Sequence, residues 1–176
     1  MGREHFIKQI ESDFEYLVNE YGFSVVETRY SPEYFDNMLV RFQSPEVDIV
    51  IVVDKGQVLI NVVPYNALPK QSFDLRSVVE FLTPSINEPV YIFPSGRISD
   101  DSINQQIVRT SRILRQYCSS ILRGDFSDWD GLQRIRDKMA LEAYRSITGK
   151  NPLQITTPEN VERIQEEVKR RQKRQE

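Results

Sequence analysis

Residues 38–63 constrain the fold more than any other stretch of this chain. Three runs follow one another, MLVRFQ (38–43), EVDIVIVVD (46–54) and QVLINVV (57–63), each with the two-residue alternation of a strand. Met38, Val40 and Phe42 take one face of the first run, and Leu39, Arg41 and Gln43 the other. Val47, Ile49, Ile51 and Val53 line one face of the second, while Glu46, Asp48 and Asp54 share the other with Val50 and Val52. In the third, Val58, Ile60 and Val62 oppose Leu59, Asn61 and Val63. Asp54-Lys55-Gly56 is too short for a parallel crossover, and Gly56 supplies the left-handed or bulge position of a hairpin. An antiparallel meander follows. The apolar content of both faces near Val50, Val52, Leu59 and Val63 predicts central strands partly covered on each side. An earlier run, FSVVETRY (23–30), is rich in β-branched and aromatic residues and reaches the meander through the turn-prone Ser31-Pro32 stretch.

Helical spacing flanks the strands. Phe6, Ile10, Phe14, Leu17 and Tyr21 recur at intervals of three and four, and Gly22 offers a left-handed C-terminal cap. Asp74 can cap a short helix carrying Leu75, Val78, Val79 and Leu82, with Phe73 and Val78 placed for a hydrophobic staple and Pro84 forcing a stop near Thr83. Val90-Tyr91-Ile92-Phe93 reads as a short edge strand or an extended cover. Ser99 caps a stripe of Ile103, Ile107, Leu114, Tyr117 and Ile121 that ends at Gly124. Ser127 then caps a last core helix with Leu132, Ile135, Met139, Ala143 and Ile147 on its buried face, and Trp129 at the corner between the two. The expected fold is therefore α+β: an antiparallel meander sheet of four or five strands, with an N-terminal helix and two long C-terminal helices on one face. Residues 1–149 are expected to form a single domain of a size that needs neither disulfides nor metal to hold its core. Residues 150–176 read as a linker between Pro152 and Pro158 and a charged, partly mobile terminal helix.

Charge is unevenly placed. Residues 1–68 carry a net −6, residues 69–149 a net +1 and residues 150–176 a net +2. An acidic sheet-bearing half repels a nucleic-acid backbone and attracts a basic partner. Asp36, Glu46, Asp48 and Asp54 are the candidate protein-binding residues on that half, although a solvated edge kept soluble by charge explains them as well. The tail points the other way. Lys169, Arg170, Arg171, Lys173 and Arg174 could touch nucleic acid or anionic lipid, but the segment has interspersed glutamates and no aromatic residue to stack on bases. A solvated helix end, its cations complementing the dipole, is the better account of them.

Chemistry is sparse. The single His5 lies in the first turn of an amphipathic helix, and the single Cys118 on the helix that Ser99 caps, where it reads as a half-buried small hydrophobe. One Cys and one His leave no disulfide framework and no multi-histidine metal site. Seven glycines, none suitably spaced, give no phosphate-binding loop, and G-x-S-x-G and H-E-x-x-H do not occur. Asp125, Asp128 and Asp130 cluster where helix capping suffices, without the order of a calcium loop. No catalytic residue, cofactor or metal is assigned. No apolar run approaches a membrane span and the N-terminus lacks a signal-peptide core, so a cytoplasmic, non-catalytic protein is expected.

The helix ending in Tyr21-Gly22-Phe23, the meander through VDIVIVVDKGQVLINVV and the helices around LRGDFSDW resemble a class of small bacterial α+β proteins. Some of these are similar to immunity proteins that accompany polymorphic toxins. The resemblance covers about residues 1–148 and implies a protein-binding module with a basic partner. It carries no site residues with it, and the basic tail departs from the acidic character usual there.

Overall fold

A computed structural model of the protein describes residues 3–65, 72–86, 88–92 and 98–148. The alternating runs form β1 (Ser24–Ser31), β2 (Asn37–Gln43), β3 (Val47–Asp54) and β4 (Gln57–Pro64). A two-residue β5 (Phe73–Asp74) completes an antiparallel sheet of order β1-β2-β3-β4-β5. The expected meander is therefore present, and its fifth strand comes from the segment that leads into a helix. Val90–Ile92 form no ladder and serve as extended cover, with Val90 buried; Phe93 lies outside the described residues.

The helices are α1 (His5–Asp13), α2 (Glu15–Tyr21), α3 (Leu75–Leu82), α4 (Asp100–Tyr117), α5 (Ser119–Leu122) and α6 (Trp129–Thr148). The one N-terminal helix read from the periodicity is two, broken at Phe14 (φ −105°, ψ 12°). Phe6, Ile10, Phe14, Tyr16 and Leu17 are all buried, an arc wider than one straight helix face serves, and the break turns all of them inward. Gly22, at φ 72°, is the expected left-handed cap. A second break at Cys118 separates α4 from α5. The caps at Asp74 and Ser99 accept from the backbone N–H groups of Arg76 and Ser102.

The chain divides into two compact units, the first ending at Ile135 and the second starting at Arg136, within α6. This corrects the expected buried face of α6. Leu132 is buried, Ile135 and Met139 are half-buried and Ala143 is exposed; the side chain of Ile147 lies outside the description. The cap of α6 is Asp128, whose Oδ1 accepts the Gly131 N–H at 2.9 Å, in place of Ser127. Trp129 meets Phe73 of β5 edge-on at 5.0 Å and Phe126 at 6.0 Å.

One face of the sheet carries the core. Met38, Val40, Phe42, Ile49, Ile51, Val53, Val58, Ile60 and Val62 are buried in one cluster with the apolar stripes of α1, α3 and α4. Leu39, Val50, Val52, Leu59 and Val63 on the other face stay half-buried. The registers align them in rows across the strands, Leu39–Val52–Leu59 being wholly aliphatic. At about 25 cal/mol per Å² the buried face supplies most of the folding drive, and the second face little.

The β4 edge is closed by side chains as well as by β5. β5 pairs with Asn61 and Val62 only. Further along, the Gln106 amide of α4 accepts the Val58 N–H at 3.1 Å and donates to the Gly56 carbonyl at 3.0 Å. The Tyr91 hydroxyl accepts the Ile60 N–H at 3.2 Å and lies 3.2 Å from the Ile60 carbonyl and 2.9 Å from Asp74 Oδ2, between which its one proton is shared.

Candidate functional site

The meander has two ends, and the sequence-read acids are split between them. Glu46 lies in the β2–β3 turn at one end, exposed and against Gly124. Asp48 is 3% exposed, with its carboxylate bonded to the guanidinium of Arg41 and, at 3.0 Å, to the Gln43 amide. The opposite end brings Asp36 and Asp54 together, in the β1–β2 and β3–β4 turns. The Asn37 side-chain oxygen accepts the Lys55 N–H at 3.0 Å and ties the two turns to each other. Asp48 thus acts inside the sheet as a partner for Arg41, and a spacing of two along a strand could not tell this role from a surface charge. Lys169, Arg170, Arg171, Lys173 and Arg174 lie outside the described residues.

The β1–β2 turn holds what sequence reading missed. Tyr34 is 64% and Phe35 71% exposed, side by side. Phe35 (φ 60°) and Asp36 (φ 56°) are both left-handed, and the Asn37 N–H bonds the Tyr34 carbonyl at 3.1 Å. That is a type I′ turn, which favours Asn-Gly because each side chain with a Cβ strains there. The β3–β4 hairpin is of the same kind, with Lys55 (φ 49°) and Gly56 (φ 76°), and it does use glycine. The signal in the sequence was the absence of a glycine between Ser31 and Asn37.

The base of the turn is fixed. The Tyr30 hydroxyl donates to Asp36 Oδ1 at 2.5 Å and accepts the Arg3 N–H at 3.0 Å. The neighbouring Asp36 carboxylate, through that bond, holds the Tyr30 phenol above its ordinary range. Arg3 in turn reaches Asp100 Oδ1 at 3.0 Å and the Ile98 carbonyl. Lys55 Nζ lies 5.6 Å from the centre of the Phe35 ring. Beside Tyr34 the open face dips into a depression of about 210 Å³, lined by Arg29, Ser31, Asn37, Leu39 and Val52 among others.

The groups with intrinsic reactivity lie elsewhere. His5 is exposed, its ring 4.1 Å from that of Phe6. Cys118 is fully buried where half burial was expected, and burial pushes its thiol up to about 12. Among the described residues no group of three His, Cys, Asp or Glu side chains is placed to hold a metal ion, and no helix is long and apolar enough to cross a membrane. Asp125 is held below the ordinary carboxylate range by the Ser127 hydroxyl and N–H, as a turn cap is. No family model, curated protein or solved structure matches the chain.

Proposed function

We propose that this chain is a non-catalytic protein-binding module that docks a basic partner at the β1–β2 turn. Tyr34 and Phe35 are the anchors, and Glu33, Asp36 and Asp54 supply the surrounding negative charge. One observation carries this reading: a phenylalanine, 71% exposed, occupies a left-handed position where glycine would be relaxed. A side chain with a Cβ costs about 1–2 kcal/mol there, and neither packing nor solubility favours an exposed phenyl ring. Strain of that kind collects at sites that bind, and aromatic anchors dominate interface energies. With Arg29 paired to Glu27 and Arg3 to Asp100, three acids against Lys55 favour a cationic partner, which charge attraction brings in faster at low salt. A protein-binding module is also what the resemblance to immunity proteins implies.

The test uses native lysate and the full chain beside F35G and D36N/D54N variants. F35G relaxes the backbone, and its thermal midpoint beside that of the native chain separates a loss of binding from a loss of fold. A basic protein retained by the native chain, lost with F35G and slower to associate with D36N/D54N supports the reading. A partner retained equally by all three chains, or none retained by the native chain, overturns it.

A further inference from the structure

The two edges of the sheet differ in kind. Beyond β4 lie β5, Gln106 and Tyr91; beyond β1 the sheet has no strand among the described residues. Ile60 turns its N–H and C=O away from β3, to Tyr91. In an antiparallel sheet alternate residues bond to opposite neighbours. Counted through the registers from Ile60, β1 gives Glu27, Arg29 and Ser31 to β2 and turns Thr28 and Tyr30 outward. Thr28 is exposed, Val25 and Val26 are 40% and 49% exposed around the bulge in β1, and Val18 on the contacting α2 is exposed too.

We propose that β1 pairs antiparallel with β1 of a second copy of this chain, about a two-fold axis at Thr28, to join two sheets into one. Charge selects both the occupant and the register. Glu27 and Arg29 flank Thr28 on the open face, where they pair with each other in the single chain. With Thr28 opposite the partner's Thr28, Glu27 faces the partner's Arg29 and Arg29 faces the partner's Glu27. These are non-hydrogen-bonded positions, where side chains approach closest. A shift by one residue pair either way puts Glu27 opposite the partner's Glu27, or Arg29 opposite the partner's Arg29. Of these three registers, only the one centred on Thr28 is free of like-charge contact. The exposed Val18, Val25 and Val26 add apolar surface beside the axis.

Sedimentation of the full chain tests this, read against variants that reverse one charge. The native chain is expected at twice the chain mass at high concentration. E27R carries two arginines and R29E two glutamates at the axis, so each alone is expected to lose the dimer. Mixed in equal amounts they are expected to regain it, because both arginines of one chain then face glutamates of the other. The double variant E27R/R29E is expected to dimerise by itself. A native chain that stays monomeric up to its solubility limit overturns the proposal. So does a dimer that survives E27R, or a mixture of the two single variants that remains monomeric. Sedimentation uses copies of this chain alone, so the outcome is separate from partner binding at the turn.

Discussion

The β4 edge and the β1 edge belong to one sheet and solve the same problem in opposite ways. Every sheet ends in backbone groups that need partners. At β4 the chain spends two side chains from distant segments, Gln106 and Tyr91, and a two-residue strand to occupy them. At β1 no further strand follows among the described residues, and a bulge and an alternation of opposite charges mark the edge. The first solution fixes one partner, the chain itself; the second leaves the partner open and restricts its register. The lesson is that a closed edge is written in long-range side-chain contacts, and an open one in local charge order.

The contrast can be broken most severely at the closed edge. Gln106→Ala leaves the Val58 N–H and Gly56 carbonyl buried without partners, and should lower stability by about 2–4 kcal/mol. Urea denaturation measures this, and an unchanged midpoint would mean that the edge does not need closing. Tyr91→Phe frees the Ile60 groups and removes the bond to Asp74 Oδ2, and should cost about 1–3 kcal/mol in the same assay. Toward the open side the sign reverses. Phe35→Gly relieves the left-handed strain and should raise stability by about 1 kcal/mol, while a thermal midpoint that falls would show the ring to be held by packing. Thr28→Pro removes an N–H that faces away from β2, and an edge strand tolerates this at a cost within about 1 kcal/mol; a collapse of the strand signal by circular dichroism would contradict the assigned facing.

The smallest effect concerns pH. Burial first of all holds the Asp74 carboxyl above the ordinary carboxylate range, partly offset by its bonds to Tyr91 and the α3 backbone. The folded state then keeps that proton more tightly than the unfolded chain does, so this group's contribution declines as pH rises from the ordinary range through the raised value. Asp74→Asn keeps the cap and should flatten the decline, which denaturation midpoints across that interval will register; an identical slope in both chains would sink the assignment.

The meander was legible in the sequence because strand alternation and a glycine hairpin are local and mutually consistent, as Met38 to Val63 show. The caps at Gly22, Asp74 and Ser99 were legible for the same reason. The breaks at Phe14 and Cys118 were not, since a helical period continues across them and only the breadth of the core decides. β5 consists of two residues and exists by virtue of β4, so no propensity marks it. Ala143 of α6 fits the amphipathic pattern and is nevertheless exposed, because periodicity records which face can be buried and not whether it is. At the candidate site the acids were visible but their fates were not. Asp48 is neutralised by Arg41 across a strand pair, and Asp36 is anchored by Tyr30, contacts that depend on register. Phe35 was passed over because it lies between two legible runs.

The buried thiol at the α4–α5 junction turns the molecule into its own stopwatch. Cys118 is the only cysteine in the chain, fully buried and with its thiol shifted far from the reactive range. A maleimide or disulfide reagent can reach it only while that junction is open, so the labelling rate counts openings directly, without an introduced probe. Slow labelling that accelerates in step with the urea unfolding curve would make this junction part of the global unit. Labelling that is faster than global unfolding would reveal a separate, more frequent opening where the helix already bends.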